Sequence, residues 1–152
     1  MADIPVIKSR SFERNPTEMI PFCRHSIDET EIASVVETLR SDWITTGPKT
    51  KLFENDFQDY VNSRFAIAVS SCTAGLHLAL AAANIGKGDE VITTPYTFAS
   101  TASVVIHVGA RPVFVDIEQD GFSIDVNLIE KAITPKTRAI IPVHFAGEPC
   151  RM

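Results

Sequence analysis

The chain has 152 residues, 45% of them hydrophobic and 22% charged, with 7 glycines and 9 prolines. These proportions are typical of a globular protein and exclude a disordered, collagen-like or coiled-coil chain. The length corresponds to about one domain. The net charge is -5, and no more than two basic residues are adjacent, so we expect neither a nucleic acid nor an anionic membrane as a partner.

The cellular compartment follows from three further features of the sequence. No apolar stretch approaches the length of a membrane-spanning helix, and the first ten residues lack the pattern of a secretory signal. The three cysteines form no CxxC motif, which favours reduced thiols over a disulfide framework. No His, Cys or Asp cluster has metal-ligand spacing. We therefore expect a cytoplasmic protein without a metal site.

The amino-terminal part of the chain predicts an arm followed by two helices. Residues 1–25 show no steady period and contain three prolines, so they are interpreted as an extended arm. Ser26–Glu29 matches a capping box, and a helix is predicted over residues 27–40. Pro48 suits the first turn of the second helix. The inner face of that helix is predicted to contain Phe53, Phe57, Tyr60 and Val61.

From residue 65 onward, apolar runs alternate with helical patterns. The predicted strands are 65–69, 90–93, 112–116 and 138–143. The predicted helices are 74–85, ended by Gly86, then 98–107, ended by Gly109, and a short helix through Ile133 that Ser123 or Asp125 caps. Strand starts recur about every 25 residues, as expected for helical crossovers between parallel strands. The sequence therefore predicts an α/β fold with a mostly parallel sheet.

Ligands bind beyond the carboxyl ends of the strands in such sheets, and Ser70–Gly75 lies at the first of these ends. The small, hydroxyl-rich turn offers free helix amides to an anion such as a phosphate. Ser and Thr also commonly serve only as helix caps, and the spacing alone favours neither interpretation. Neither a GxGxxG nor a GxxxxGK[ST] motif occurs, so dinucleotide and P-loop sites are unsupported.

The other strand ends carry weaker signals. Tyr96 and Phe98 fall in a polar turn, where an aromatic ring can stack on a planar ligand, although the residue pattern favours an ordinary core position. Asp116 is expected to cap the following turn more readily than to bind a ribose or a metal. His144 is a candidate for ligand contact. Cys72 has no histidine in its motif that would activate it as a nucleophile.

Five segments in the same order resemble the DegT-type sugar aminotransferases, which are pyridoxal-phosphate enzymes of the aspartate-aminotransferase fold. The segments are Asp42–Pro48, Ala68–His77, Gly86–Thr93, Gly109–Asp116 and Ile141–Gly147. Within that family the residues resemble most the UDP-4-amino-4-deoxy-L-arabinose–oxoglutarate aminotransferases. The resemblance runs from about Ile20 to the last residue and covers less than half of a family member.

The resemblance implies roles for several residues. Thr73 and Ala74 would give backbone amides to the cofactor phosphate, and Phe98 would stack on the pyridine ring. Three further residues are implied more weakly, as substrate contacts: Thr45, Thr46 and His144. The implied reaction is amino transfer, with glutamate as the donor, to the keto carbon of a nucleotide-linked sugar. The implied assembly is a homo-oligomer, since relatives are dimers with shared sites.

The family's Schiff-base lysine, its pyridine-nitrogen aspartate and a phosphate-contacting serine have no counterpart among these 152 residues. The resemblance thus makes residues 26–152 the amino-terminal part of a truncated large domain, with no catalytic residue in this chain. The isolated chain is expected to be inactive and to leave the run 65–69 apart from the other strands, so that it needs a partner chain. The alternative is a non-catalytic α/β module that binds a phosphorylated ligand or a partner subunit.

Overall fold

A computed structural model of the chain describes residues 23–152. The arm predicted for residues 1–25 therefore lies outside the described residues, apart from its last three positions. Those three residues belong to no helix or strand and are exposed. The described residues divide into two compact units, with the boundary between Lys51 and Leu52. None of the described helices is long and apolar enough to cross a membrane.

The first helix of the first unit, α1, spans Glu29–Arg40 and is capped by Asp28. The Asp28 carboxylate accepts a hydrogen bond of 2.7 Å from the Thr30 amide, and the Asp28 amide donates to Glu31 Oε2 at 2.8 Å. This reciprocal pair is a capping box, and the hydrogen bonds from Thr30 lower the pKa of Asp28. The box predicted at Ser26–Glu29 is wrong by two residues, because Asp28 is the residue that takes the extended N-cap conformation.

The loop after α1 is folded around its tryptophan. The Trp43 indole Nε1 donates a 2.8 Å hydrogen bond to the Thr46 carbonyl. A β-carbon on Gly47 would overlap the Trp43 ring, so the indole can lie against the backbone only because residue 47 is glycine. The second helix, α2, begins directly afterwards and spans Pro48–Tyr60, as the proline predicts.

The second unit contains a three-stranded parallel sheet in the order β2-β1-β3. The strands are β1 (Glu90–Thr93), β2 (Arg111–Phe114) and β3 (Thr137–Ile141). The helices of this unit, besides the rest of α2, are α3 (Cys72–Ala82), α4 (Ser100–His107) and α5 (Val126–Ala132), and a 3-10 turn follows at Phe145–Gly147. Helix α4 joins β1 to β2, and α5 joins β2 to β3. This arrangement confirms the predicted α/β fold with a parallel sheet.

The strand predicted over residues 65–69 is wrong. The run forms no strand, and the side chains of Phe65 and Ile67 are 78% and 79% exposed. Both sides of β1 are already paired with β2 and β3, so the central position of the sheet is filled. The run is held instead by local contacts, among them a 3.0 Å hydrogen bond from the Ala68 amide to Glu54 Oε1. An apolar run without a strand partner stays exposed, as the resemblance implied for this segment.

The core consists of two clusters that β1 separates. Val91 packs in one cluster, with residues of α3 and α4, and Ile92 packs in the other, with Ile124 and Cys150. Successive strand residues point to opposite faces, so this alternation places one cluster on each face of the sheet. The glycine cap predicted at Gly86 is wrong, because Asn84 takes the left-handed conformation after α3 (φ 54°).

The amino ends of β1 and β2 are joined by an ion pair between the buried carboxylate of Glu90 and the exposed guanidinium of Arg111. Glu90, whose side chain is 5% exposed, accepts a 2.6 Å hydrogen bond from Arg111 Nη2 and a 2.8 Å hydrogen bond from Thr134 Oγ1. The Arg111 hydrogen bond, followed by that from Thr134, lowers the pKa of Glu90 below its ordinary value of 4.5. The carboxylate therefore ties three segments of the second unit together at the edge of the sheet where the strands begin.

The variant Glu90→Gln is expected to lower the melting temperature at neutral pH, since it replaces a charge-assisted contact with a neutral one. The carboxyl has a lowered pKa in the folded state, so its stabilising effect is complete above pH 4.5 and is lost as the pH falls through the folded pKa. Thermal unfolding followed by circular dichroism should show the gap between wild type and variant closing below pH 4.5. A gap that stays constant with pH would contradict this account.

The variant Gly47→Ala is expected to displace the Trp43 ring and destabilise the loop by about 1–3 kcal/mol, the usual cost of overpacking. Trp43 is the only tryptophan of the chain, so its fluorescence reports on this loop alone. We expect a changed emission maximum in the folded variant. Gly121→Ala is the control, since a β-carbon there meets only the Glu118 side chain, at 3.4 Å. An unchanged Gly47→Ala spectrum would show that the ring does not lie against residue 47.

Candidate functional site

An open cavity of about 760 Å³ lies where β1 and β3 end and α3 begins. Three parts of the second unit line it: Cys72, Thr73 and Leu76 from α3, Pro95–Phe98 with Ser100 and Thr101 after β1, and Ile141–Phe145 from the last residue of β3 onward. The carboxyl ends of parallel strands meet at one edge of a sheet, which brings these segments together. Of the residues proposed from sequence, the structure gathers Thr73, Phe98 and His144 here.

The start of α3 combines a side-chain cap with free amides. The Ala74 amide donates to Ser71 Oγ at 3.1 Å, so Ser71 is a structural N-cap. The amides of Cys72 and Thr73 have no hydrogen-bond acceptor among residues 23–152. Two free amides and the positive end of the helix dipole therefore meet at the cavity, an arrangement suited to an anion. The amide of Ala74, in contrast, is already engaged.

Phe98 presents its ring to solvent at the cavity wall. The residue is 80% exposed, although the residue pattern alone favoured a core position, and that expectation is wrong. The backbone turns at Thr97, whose amide donates to the Pro95 carbonyl at 3.0 Å, and α4 starts soon after Phe98. An aromatic face left open beside a cavity can stack on a planar ring.

Tyr96 packs against other aromatic rings instead. Its ring centroid lies 5.4 Å from that of Phe122 and 4.9 Å from that of Phe145, and the last two are 5.2 Å apart. This aromatic cluster of Tyr96, Phe122 and Phe145 joins the three loops that follow β1, β2 and β3. Sequence analysis missed Phe122 and Phe145, because the contact depends on loop conformations that no local pattern encodes.

His144 lines the cavity, and a hydrogen bond from a backbone amide holds its ring. Its Nδ1 accepts a 3.1 Å hydrogen bond from the Cys150 amide. Asp116, two residues after β2, does not line the cavity, and its carboxylate accepts a 2.8 Å hydrogen bond from the next amide, that of Ile117. This contact is local, and the capping of the following turn by Asp116 stays a prediction.

Charged side chains are missing from the cavity wall, which contains no Asp, Glu, Lys or Arg among the described residues. In residues 23–152 there is also no group of three His, Cys, Asp or Glu side chains placed to hold a metal ion. A bound anion would thus depend on neutral hydrogen-bond donors. Thr45 and Thr46, the other two proposed substrate contacts, belong to the first unit, where both are exposed. The Thr46 carbonyl accepts the hydrogen bond from the Trp43 indole.

Solved structures with a similar fold include aminotransferases. The putative sugar aminotransferase Spr1654 from Streptococcus pneumoniae, in its PMP form, is 49% identical with a TM-score of 0.81, over 87% of this chain and 33% of that one. The same protein in its PLP form gives a TM-score of 0.81. The aminotransferase from Psychrobacter cryohalolentis is 39% identical with a TM-score of 0.79, over 86% of this chain and 34% of its own.

Relatives in sequence agree with the structural comparison. Spore coat polysaccharide biosynthesis protein SpsC of Bacillus subtilis is 50% identical over 133 residues, which are 88% of this chain and 34% of SpsC. Uncharacterized protein MJ1066 of Methanocaldococcus jannaschii is 59% identical over the same shares. The chain thus spans about a third of the length of the relatives it matches. Residues 25–152 match the family profile itself, and the chain belongs to the DegT/DnrJ/EryC1/StrS aminotransferase family.

Proposed function

We propose that this chain provides the phosphate-binding and ring-stacking part of a pyridoxal-phosphate enzyme that moves an amino group from glutamate to the keto carbon of a nucleotide-linked sugar. Family membership supports amino transfer, and the name of SpsC supports a sugar pathway. Spr1654 exists in PLP and PMP forms, which supports this cofactor. The resemblance to the UDP-4-amino-4-deoxy-L-arabinose enzymes stays a prediction about the sugar.

One observation carries the proposal: free amides and an open aromatic face line the same uncharged cavity. The amides of Cys72 and Thr73 fit a phosphate, and the exposed ring of Phe98 fits a pyridine. The cavity volume of about 760 Å³ lies within the range of small-molecule sites. The residues present therefore fit the phosphate and the ring of pyridoxal phosphate. When bound, this cofactor supplies an electron-withdrawing ring that stabilises negative charge on the reacting carbon.

Each residue of this chain then has a binding task. The Thr73 amide and the helix dipole hold the phosphate without a counter-charge. The Ala74 amide joins them only by releasing Ser71 Oγ, which leaves Cys72 and Thr73 as the free donors. Phe98 fixes the plane of the pyridine ring. The assignment of Thr45, Thr46 and His144 as substrate contacts is part of the same proposal.

We further propose that the chain by itself does not catalyse the reaction. None of its lysines in residues 23–152 lines the cavity, although amino transfer by this cofactor requires an amine there. Catalysis would then require residues that this chain does not contain. The unpaired apolar run around Phe65 and Ile67 supports association with further protein, and we propose a homo-oligomer.

A second function rests on the same lack of a lysine in the cavity wall. A site that binds a phosphorylated ligand without an amine is also what a non-catalytic binding module requires. The two functions differ in one respect. As part of an enzyme, the chain would support amino transfer once it is assembled with protein that supplies the lysine, whereas a binding module would not. In both, a bound phosphate would occupy the position proposed above, and a partner subunit is the other ligand that a binding module could take.

The variant Phe98→Ala is expected to weaken the binding of pyridoxamine phosphate, because the open ring is lost as a stacking surface. Stacking of this kind contributes about 0.5–1.5 kcal/mol, or about a 2- to 13-fold change in dissociation constant. Isothermal titration calorimetry measures the change. Phe65→Ala is the matched control, since Phe65 is equally exposed but does not line the cavity, and it should leave the affinity unaltered. Equal affinities for wild type and Phe98→Ala would remove Phe98 from the site.

Treatment of the isolated chain with pyridoxal phosphate and borohydride is expected to give no adduct specific to a single lysine. The described lysines lie on helix and turn surfaces, where solvated ammonium groups are poor imine formers. Mass spectrometry of the digested protein locates any modified residue. Scattered labelling at low occupancy agrees with the account, whereas stoichiometric labelling of one lysine would show that the chain supplies its own amine.

A further inference from the structure

The hydrogen bond behind His144 fixes where its ring carries a proton. A backbone amide can only donate, so the 3.1 Å contact from the Cys150 amide requires a lone pair on His144 Nδ1. A neutral imidazole with a lone pair on Nδ1 carries its proton on Nε2. His144 lines the cavity, and with Nδ1 engaged by Cys150 its Nε2–H is the ring donor that has no partner among the described residues.

Cys150, at the carboxyl end of the segment 144–150, anchors that segment in the core. Cys150 is 6% exposed and packs with Ile92 and Ile124, while its Sγ contacts the Val143 carbonyl at 3.2 Å. The Cys150 amide is thereby fixed in the core of the second unit. The imidazole it holds is consequently oriented by buried structure and not by solvent.

The turn between the two residues carries a backbone outlier. Ala146 has a φ of 52°, in the left-handed region that residues with a β-carbon seldom adopt. Such strain persists only where surrounding contacts over-determine the backbone, and it is found preferentially at functional sites. Here the contacts are the Cys150 anchor on one side and the ring of Phe145 against Tyr96 on the other.

We infer that His144 presents a preset Nε2–H hydrogen-bond donor to an acceptor oxygen of the ligand in the cavity, with Cys150 as the positioning residue that acts through its backbone amide. The identity of the ligand rests on the proposed function. The oxygen belongs either to the cofactor or to the diphosphate of the sugar nucleotide, and both are acceptors for the same donor. No other imidazole lines this cavity among the described residues.

The first measurement needs no ligand. In the uniformly ¹⁵N-labelled 152-residue chain, a scalar coupling across the hydrogen bond should join the Cys150 amide nitrogen to His144 Nδ1. Long-range proton–nitrogen spectra should show the neutral His144 ring protonated on Nε2. The variant His144→Gln assigns the signals by their disappearance. A ring protonated on Nδ1, or no coupling to Cys150, would overturn the inference.

Two probes then identify the acceptor oxygen, pyridoxamine phosphate and uridine diphosphate. We expect one of them to shift the His144 Nε2–H proton and to slow its exchange with water. A response to pyridoxamine phosphate assigns the oxygen to the cofactor, and a response to uridine diphosphate alone assigns it to the substrate. If the Thr73 amide responds to pyridoxamine phosphate while His144 responds to neither probe, the donor role is overturned and the proposed function stands.

The remaining outcomes separate the two claims. If pyridoxamine phosphate leaves Thr73 unaffected while uridine diphosphate shifts the His144 proton, the cofactor proposal fails and the donor role stands. If neither probe binds, both are overturned. For the probe that shifts the proton, His144→Leu should weaken binding about 2- to 13-fold, the usual range for one hydrogen bond, and His144→Gln should weaken it less.

Discussion

Parallel hydrogen bonding of β1 on both of its sides is the constraint on which the rest of the second unit depends. Val91 is paired with Pro112 of β2 and with Ala139 of β3. The same strand separates the two core clusters, and its residues are all buried. Since all three strands run in the same direction, the loops that follow them emerge at one edge. The cavity is a direct consequence of that shared direction.

The sequence predicted the fold correctly where a segment is stabilised by residues near it in the chain or by pairing with another strand of the sheet. Three of four predicted strands and all five helices exist. Buried residues of α3 and α4 pack with Val91 of β1, whereas α1 and α2 have no buried residue, and the predicted inner face of α2 with Phe53, Phe57, Tyr60 and Val61 is exposed. The strand predicted over residues 65–69 failed because an apolar run predicts burial, whereas a strand needs a partner, and this run pairs with neither edge of the sheet. The capping box moved to Asp28 because two acceptable caps lie close together and only backbone geometry selects one.

The location of the site in the fold was predictable from the sequence, whereas the individual side-chain contacts were less so. The rule that ligands bind beyond strand ends pointed to the segments that carry Thr73, Phe98 and His144, and the cavity contains all three. The same rule could not show that the Phe98 ring would be exposed while the Tyr96 ring would pack against other rings, since both residues lie in the same turn. Contacts between distant loops are set by tertiary structure and leave no local signal.

Neutral donors give this cavity its chemical character. Backbone amides at the start of α3 and an imidazole held in one tautomer bind acceptor oxygens without introducing charge. Such groups are fixed before a ligand arrives, so little ordering is needed on binding. The charged groups of the second unit lie elsewhere: Glu90 and Arg111 join the strands where they begin, away from the edge that carries the site.

The central claim is that the phosphate of a pyridoxal-type cofactor sits on the first turn of α3. Titration of the ¹⁵N-labelled chain with pyridoxamine phosphate tests it most directly, because every backbone amide is observed separately. The account predicts saturable shifts that are largest at Cys72 and Thr73, with smaller ones around Phe98. Binding that leaves the amides of Cys72 and Thr73 unchanged, or shifts centred on another part of the chain, would contradict it.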